Sequence, residues 1–428
     1  MGCNGVKSNP RMVLWPAQPA GDRYTCRPGS GIRAPMSTTA AGTREGSRAF
    51  VVVSAAQCSI AFALNFMFVF LPFYIRSVSP MDEAATLRWT GLILGAASAT
   101  ATVGSTFWGS LSDRYSPKGL FERGLISHAI LVILMAFTTD VRLLLAIRVV
   151  QGFLGGISTI GLIIVSAVSS EEQLPRRLGT YQAALTLGQI FGPPLGAVGA
   201  ELLGFRGAFL ASGVILFGVY LFSRLALARI PPCPRKPGGE TVPRRQVLAA
   251  WGISLVATMH IVFLPSILPA ILRGFEIPEP QRLVTAGVIV FAYGLASAAG
   301  SYGWSRLAGR YPASRLILLA ASGASACQLL LALGTDVTTF TLIRMAQTGC
   351  AAGVFPLVLA EVAGRSRGGT IGVINTARFA GMALGPVTAT FILAHADLVT
   401  LYVVLAAGLA LAAAGSRLGG RSREPRAR

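Results

Sequence analysis

Charged residues are scarce in this sequence, and acidic residues are the scarcest of them. Asp and Glu number 17 in 428 residues against 37 Lys and Arg, charged residues make up 13% of the chain, and the mean hydropathy is +0.62. Soluble globular domains carry about 25% charged residues. The composition therefore excludes an ordinary soluble protein and predicts an integral membrane protein.

Other absences restrict the chemistry. The six cysteines show no CxxC spacing and the three histidines are scattered, so the sequence predicts neither a disulfide framework nor a metal site. It contains no GxxxxGK[ST] loop for ATP and none of the HExxH, Ser/His/Asp or paired-acid patterns that a membrane enzyme needs. A receptor would need a soluble signalling domain, and both tails are short and basic. We predict a protein that is not an enzyme and binds no cofactor.

Long apolar runs, by contrast, are abundant. A bilayer core about 30 Å thick needs about 20 apolar residues per helix, and helices satisfy the backbone groups that lipid leaves unbonded. Twelve windows fit this requirement, at 50–75, 90–110, 124–139, 142–168, 179–202, 208–230, 247–272, 284–304, 314–334, 339–363, 369–394 and 398–415. The predicted fold is all-α, with twelve transmembrane helices.

The basic residues follow a pattern along the chain. Most of them lie in the two tails and in every second link between apolar runs, while the other links hold isolated arginines such as Arg142 and Arg206. Basic links stay on the cytoplasmic side, so both termini are predicted to be cytoplasmic, in a multi-pass protein of the plasma or inner membrane. Because the net charge of +20 is spread over these links, it indicates membrane topology and no nucleic-acid partner.

The sequence contains an internal repeat. Trp108 and Trp304 are 196 residues apart, as are Arg148 and Arg344, and a link rich in Pro and Gly separates six predicted helices from six. An even number of spans between equivalent positions makes the two repeats parallel. The predicted organisation is a basic, disordered N-terminal tail (1–49), a six-helix bundle (50–230), a cytoplasmic linker (231–246), a second six-helix bundle (247–415) and a basic C-terminal tail (416–428).

Three motifs carry a family resemblance. They are Gly109-x-Leu111-x-Asp113-Arg114 after the second helix, Arg148-x-x-Gln151-Gly152 in the fourth, and Gly188-x-x-x-Gly192-Pro193-Pro194-x-Gly196 in the fifth. Together they resemble motifs of the major facilitator superfamily, and of its twelve-helix drug/proton antiporters in particular. The resemblance implies a monomeric secondary active transporter that works by alternating access, as a proton-coupled exporter of drugs or amphipathic metabolites. The alternative is a substrate-specific carrier, for an organic anion or another metabolite, without proton antiport.

The loop after the second helix has two interpretations. Gly109 permits a tight exit from the helix, Asp113 suits the N-terminus of a neighbouring helix, and Arg114 and Lys118 suit an anionic leaflet. A solvated turn that obeys the positive-inside rule would look the same. The resemblance implies a conformational latch made of Gly109, Asp113, Arg114 and Lys118, and the second copy of the loop has Gly309 in place of the acid.

Arg148 is an intramembrane cation. Such a residue costs about 2.5–3.5 kcal/mol to insert at a helix centre, unless its side chain reaches the membrane surface. Gln151 lies on the same helix face at i+3, which favours a shared polar interior. The resemblance implies a proton or charge relay of Arg148, Gln151 and His260, although a membrane histidine also serves as a simple helix–helix hydrogen bonder. The first predicted helix holds no carboxylate, so proton coupling rests on the resemblance.

Two further sets of residues are predicted to shape the interior. Glycines at i, i+4 and i+8 let a second helix approach closely, and prolines beside them bend the chain. These packing and kink residues are Gly188, Gly192, Pro193, Gly196, Gly385 and Pro386. The candidates for the substrate cavity are Asn65, Gln182, Gln189, Tyr293, Gln347, Asn375 and Arg378. Arg378 has no counterpart in the first repeat, so it contacts either an anionic substrate or another helix.

Overall fold

The computed structural model describes residues 40–112, 114–169, 173–228, 230, 243–308, 310–363 and 369–420. Within these ranges the chain is helical, without a β-strand. The α-helices are α1 (Ala40–Val78), α2 (Glu83–Leu111), α3 (Pro117–Ala136), α4 (Val141–Phe153), α5 (Ile157–Ala167), α6 (Leu174–Ala226), α7 (Arg244–Val262), α8 (Leu268–Gly274), α9 (Glu279–Leu307), α10 (Ala313–Leu330), α11 (Val337–Ala363), α12 (Gly369–His395) and α13 (Leu398–Gly420). Short 3₁₀ segments, Leu264–Ser266 and Leu331–Leu333, follow α7 and α10.

The described helices form twelve membrane passes. Ten stretches of the described chain are long and apolar enough to cross a membrane. The 53 residues of α6 would extend about 80 Å, and Gly204, with φ 67°, divides them into arms at 174–203 and 205–226. With 29 residues, α2 is long enough to span but is rich in Ser, Thr and Gly. Counting both arms of α6 and adding α2 confirms the predicted all-α membrane fold.

The ends of the helices define two faces of the molecule. What we call the terminal face holds the start of α1, the end of α13 and the links after α2, α5, α6, α9 and α11. What we call the opposite face holds the links after α1, α3, α8, α10 and α12, together with the bend at Gly204. In sequence order, α1–α6 form the first half of the molecule and α7–α13 form the second.

Glycine stripes bring equivalent helices together within each half. In α6, a Cβ on Gly192 would lie 2.8 Å from the Cβ of Asn65 in α1. In α12, a Cβ on Gly385 would lie 2.8 Å from a methyl carbon of Val262 in α7. Pro193, Pro194 and Pro386 lie inside these same two helices. The close approach therefore occurs in both repeats, between the first and fifth passes of each.

The two halves meet near the opposite face. There the backbone of α2 lies against α12, so that a Cβ on Gly95 would be 3.0 Å from a methyl carbon of Val387. The second junction joins α6 to α9, where the ring centroids of Phe191 and Phe291 are 5.9 Å apart. The two glycines of α2 that meet α12, Gly91 and Gly95, both lie in the part of α2 nearer the opposite face.

Several helices are longer than the apolar windows. The α1 helix begins at Ala40, α7 begins at Arg244 and α13 continues to Gly420. A helix keeps its backbone hydrogen bonds in the headgroup region and in water, so polar residues such as Glu45 and Arg48 extend α1 beyond the hydrocarbon core. Residues 1–39 and 421–428, and most of the predicted linker, lie outside the described residues.

Candidate functional site

The second half lines the space between the halves with one side of α12. Gly381 of α12 packs on α7, and Ala383 packs on α2. At about 100° per residue, Asn375 and Arg378 lie on the side between these two contacts, and both are partly exposed. The guanidinium of Arg378 lies 4.9 Å from the ring centre of Phe355 in α11. The remaining side of α12 carries large exposed apolar residues, as expected for a lipid-facing surface.

The first half lines the same space with α6 and α1. Gly192 of α6 packs on α1, and Pro194 packs on α9. Gln182 and Gln189 lie on the side of α6 between these contacts, the former exposed and the latter partly exposed. Asn65 is also partly exposed, and it donates a hydrogen bond to the Ala61 carbonyl oxygen at 2.8 Å. By helical periodicity Gln182 and Gln189 therefore lie on the side of α6 between its contacts with α1 and α9, as Arg378 does between the contacts of α12, while Asn65 lies against Gly192 of α6.

A polar stripe on α2 was absent from the predicted cavity. Gly91 and Gly95 are buried against α12, while Ser98 and Thr102, on the same side of the helix, are partly exposed and Thr106 is exposed. Exposure along one side thus rises towards the terminal face, which indicates that the halves separate there. The spacing of four residues from Ser98 to Thr106 is a signal that the sequence offered, although small hydroxyl residues are common in membrane helices.

Arg148 binds α2 from α4. It is 7% exposed, and its Nη1 donates to Gln151 Oε1 at 2.7 Å. Its Nε donates to the Ile93 carbonyl oxygen at 3.2 Å and its Nη2 to that of Leu94 at 3.4 Å. The Nε2 of Gln151 is buried without a partner in the part of the chain that the structure describes. Arg148 is therefore bonded to α2 and to Gln151, while the amide N–H groups of Gln151 have no acceptor among the described residues.

Arg344 repeats the Arg-x-x-Gln pattern but contacts other helices. It is fully buried, and its Nη1 donates to Gln347 Oε1 at 2.6 Å. The ring centroids of Phe263 and Tyr293 both lie 4.7 Å from the guanidinium carbon. Gln347 and Tyr293, two of the predicted cavity residues, thus lie in a buried cluster of the second half. Arg344 itself was recognised in the sequence only as a copy of Arg148.

The backbone of α7 explains what Arg344 does. Pro265 has no N–H group, so the carbonyl oxygen of Ile261 loses its usual partner four residues later. Arg344 donates to this oxygen through Nη2 at 2.8 Å, and to the carbonyl oxygen of His260 through Nη1, also at 2.8 Å. A cation on α11 therefore satisfies the carbonyl groups at the interruption between α7 and the 3₁₀ segment.

His260 is held in one protonation state by its neighbours. Its Nε2 lies 2.9 Å from the Leu405 carbonyl oxygen, which accepts, so Nε2 carries the proton. Because Arg344 occupies Gln347 Oε1, the amide Nε2 of Gln347 faces His260 Nδ1 at 2.9 Å, and Nδ1 must accept. His260 is therefore neutral and joins α7, α11 and α13. It lies in the second half, whereas Arg148 and Gln151 lie in the first.

The described latch residues make contacts within the first half. Gly109 packs against α5, where an added Cβ would lie 3.5 Å from the methyl carbon of Thr159. Lys118 donates to the carbonyl oxygens of Arg224, at 3.1 Å, and Leu227, and it lies 3.5 Å from a carboxylate oxygen of Glu122. Arg114 is exposed, and Asp113 lies outside the described residues. Lys118 thus joins α3 to the end of α6.

The helices, their duplication and the central space point to a transporter, and sequence comparison decides the family. The profile of the Major Facilitator Superfamily matches residues 53–272 and 250–427. The chain belongs to the major facilitator superfamily. Transporters make up this family, so the resemblance to the major facilitator superfamily is confirmed, and with it the prediction that the chain is not an enzyme.

Curated relatives of this facilitator are transporters of several kinds. It is 30% identical over 165 residues to the staphyloferrin B transporter of Staphylococcus aureus, covering 39% of this chain and 40% of the relative. It is 27% identical over 189 residues to the multidrug resistance protein MdtG of Enterobacter lignolyticus, covering 44% of each. The uncharacterised transporter YuxJ of Bacillus subtilis matches more widely, at 25% identity over 79% of this chain and 89% of the relative. The first two matches therefore cover less than half of those relatives.

Solved structures share the fold of this facilitator. The human organic anion transporter MFSD10 superposes with a TM-score of 0.63 at 18% identity, covering 87% of this chain and 99% of that one. A D-xylose–proton symporter superposes with a TM-score of 0.71 at 12% identity, covering 87% and 97%. At these identities the likeness establishes the fold alone.

An ion cluster joins the two halves of this facilitator at the opposite face. The carboxylate of Glu83, at the start of α2, lies 3.8 Å from Arg76 of α1 and also pairs with Arg273 of α8. Nearby, Arg88 of α2 lies 3.4 Å from His395 Nε2 of α12. Arg76 and Arg273 occupy corresponding places just after the first and seventh predicted passes. One carboxylate therefore bridges a repeat-related pair of arginines.

A buried triad fixes the first half internally and gives a direct test. The Tyr181 hydroxyl donates to Gln57 Oε1 at 2.6 Å, and Gln57 Nε2 donates to the Ser158 hydroxyl at 2.9 Å.

We expect Tyr181→Phe to lower the free energy of unfolding by about 1–2 kcal/mol, because a buried acceptor loses its donor. Denaturant titration of the purified protein measures this. Tyr302→Phe, at a side chain 68% exposed, is the control, and an equal effect there would contradict the assignment.

Proposed function

We propose that this facilitator exports small amphipathic molecules in exchange for protons. The observation that supports this most is the set of side chains on the inner sides of α2, α6 and α12, where hydroxyls and amides accompany the guanidinium of Arg378, which lies over the Phe355 ring. Such a lining suits molecules that combine an apolar body with a few polar groups. The relative with 44% coverage is named as a multidrug resistance protein, which agrees with broad selectivity.

The direction of transport follows from the predicted orientation. If both termini are cytoplasmic, the terminal face is the cytoplasmic face, and the space between the halves opens inward. The protein then loads solute from the cytoplasm of a cell whose plasma or inner membrane it spans. In the other half of the cycle the terminal face closes, and we assign Gly109, Asp113, Arg114 and Lys118 to the latch that holds it closed. We assign a monomer as the working unit.

For proton coupling we favour Arg148 and Gln151 over His260. Gln151 has a buried donor without a partner among the described residues, so the pair has capacity to rearrange. His260 uses both ring nitrogens in its neutral form, and a second proton on Nδ1 would set two donors face to face beside Arg344. We therefore assign His260, Gln347 and Tyr293 to support of α7, and Asn65, Gln182, Gln189 and Asn375 to contact with solute.

A second candidate function is supported by Arg378. A cation in a space without a described carboxylate nearby favours an organic anion, so the alternative is a carrier of organic anions without proton exchange. One structural neighbour is named as an organic anion transporter. The two candidates differ in their dependence on a proton gradient, and that difference can be measured.

The test uses proteoliposomes with an imposed pH gradient and matched anionic and neutral dyes. Proton exchange predicts that uptake of both dyes collapses when a protonophore is added. The anion carrier predicts uptake of the anionic dye, and the protonophore leaves that uptake unchanged. Arg148→Met should abolish the gradient-driven component. Gradient-driven uptake that survives in Arg148→Met would remove this residue from the coupling site.

We expect Arg378→Gln to lower transport of the anionic dye about tenfold, because a hydrogen bond to a charged group is worth about 1.5–3 kcal/mol. Transport of the neutral dye should stay close to that of the native protein. Initial rates over a range of dye concentrations measure both effects. Arg282→Gln, at the opposite face where Arg282 bonds the Ile277 carbonyl oxygen and Glu279, is the control for loss of one positive charge. Equal losses for both dyes would contradict a role in recognition of anions.

A further inference from the structure

The terminal end of α9 contains a notch that the proposed transport function does not use. It has a volume of about 390 Å³ and is lined by Gly300, Gly303, Trp304, Arg306, Leu307 and Arg310. A Cβ placed on Gly303 would meet no atom within 4 Å, so the notch is open there. Arg306 and Arg310 are both exposed at its rim.

The same place in the first repeat is filled. At the separation of 196 residues, Gly303 corresponds to Phe107, and Gly349 corresponds to Phe153. The rings of Phe107 and Phe153 are stacked with centroids 5.8 Å apart, and Phe107 meets the edge of Trp108 at 5.1 Å. In the second repeat two glycines replace this pair of rings. The missing aromatic volume accounts for the notch.

The indole at this position keeps its structural bond in both repeats. Trp108 Nε1 donates to the Phe153 carbonyl oxygen at 2.8 Å, and Trp304 Nε1 donates to that of Gly349 at 3.2 Å. The helix pair is therefore built in the same way in both halves. The notch is a local difference in side chains on a shared framework, and not a consequence of a different backbone arrangement.

The charge of the two repeats differs in the same direction. Arg306 stands where the first repeat has Ser110, and Gly309 stands where it has Asp113. Arg310 corresponds to Arg114, so the second repeat gains one cation and loses one anion. Among the described residues neither Arg306 nor Arg310 takes part in an ion pair. The notch therefore combines open volume with positive charge that the described chain leaves unbalanced.

The level of the notch in the membrane indicates its ligand. Tyr302 is 68% exposed and Tyr311 is 55% exposed, and exposed tyrosines are typical of the interface between headgroups and hydrocarbon. Leu307 contributes an apolar wall. Basic pockets between transmembrane helices on the cytoplasmic side, the side proposed above for the terminal face, bind lipid headgroups, and the planar guanidinium forms paired hydrogen bonds to phosphate oxygens. We propose that the notch of Gly303, Arg306 and Arg310 binds the phosphate of an anionic lipid headgroup.

The test measures lipid binding to the full-length protein in detergent by native mass spectrometry. Phosphatidylglycerol is compared with zwitterionic phosphatidylcholine and with soluble glycerol 3-phosphate. We expect the protein to prefer phosphatidylglycerol, and R306Q/R310Q to lose about twenty-five-fold in affinity, since each basic residue near an anionic lipid contributes about fivefold. Gly303→Phe should weaken binding while leaving the charge unchanged, because its ring fills the notch as Phe107 does in the first repeat.

Arg315→Gln is the matched control, since Arg315 is an exposed arginine of the same face outside the notch. Both arginine positions of the notch are exposed, so the double variant tests the site even if Gly303→Phe reduces stability. A loss in Arg315→Gln equal to that of the double variant, or equal affinity for the two lipids, would overturn the site. Glycerol 3-phosphate bound as tightly as phosphatidylglycerol would assign the notch to a soluble phosphate ester and overturn the lipid assignment.

Discussion

Replacing Gly95 with leucine is expected to slow transport strongly while leaving the protein folded. The three atoms nearest to an added Cβ on Gly95 all belong to α12, and they include the carbonyl carbon of Ala383 at 3.3 Å and a methyl carbon of Val387 at 3.0 Å. A side chain there therefore obstructs the junction between the halves. Since overpacking costs about 1–3 kcal/mol or more, closure at the opposite face should become unfavourable and the transport rate should fall by about tenfold or more.

The state of the junction can be measured directly. Spin labels at Ala84 in the first turn of α2 and Val399 in the first turn of α13 should report a longer distance in Gly95→Leu than in the native protein. Gly218→Leu, on the second arm of α6 where an added Cβ meets nothing within 4 Å, is the control and should transport normally. Normal transport by Gly95→Leu would show that contact between α2 and α12 is not needed in the cycle.

Replacing Arg344 with methionine is expected to cost about 3 kcal/mol of stability. The carbonyl oxygen of Ile261 and the Oε1 of Gln347 would both remain buried without their present donors, at about 1–3 kcal/mol for each. Arg148→Met should cost less, because Ile93 and Leu94 lie inside the continuous helix α2 and their carbonyl oxygens keep helical partners. Denaturant titrations of the two variants give the comparison.

A second substitution separates this explanation from a general loss of packing. Pro265→Ala provides a backbone N–H four residues after Ile261, so it can supply the donor that Arg344→Met removes. We expect Pro265→Ala to recover about 1 kcal/mol in the Arg344→Met background and to add no stability to the native protein, a clear coupling in a double-mutant cycle. Strictly additive effects would mean that Arg344 does not compensate for the proline.

The apolar runs predicted the membrane helices, and the repeat of 196 residues with the link rich in Pro and Gly predicted their division into two halves. A helix in lipid must be long, apolar and internally hydrogen-bonded, so its sequence pattern is strong and local. The glycine stripe also predicted a close helix–helix contact from sequence alone, because only glycine lets α1 and α6 approach as they do at Gly192. The motifs at Gly109, Arg148 and Gly188 then identified the family.

The roles of individual polar residues depended on partners that are distant in sequence. Arg148 and Arg344 share one local pattern, yet one binds α2 and the other caps α7. The difference arises from Pro265, 79 residues before Arg344, and no local window contains both. Tyr293 illustrates the same limit, because its polar group suggested a cavity while its ring packs on the guanidinium of Arg344.

The single carboxylate at the opposite face has a consequence for reversibility. In the proposed transport cycle, separation of the halves at this face moves Glu83 away from Arg273, whereas Arg76 lies in the same half as Glu83. Glu83 therefore loses one of its two arginine partners and keeps the other. Exposed ion pairs of this kind are worth about 0–1 kcal/mol. Because breaking this ion pair costs so little free energy, the contact suits the proposed cycle, in which the opposite face opens and closes at every turnover.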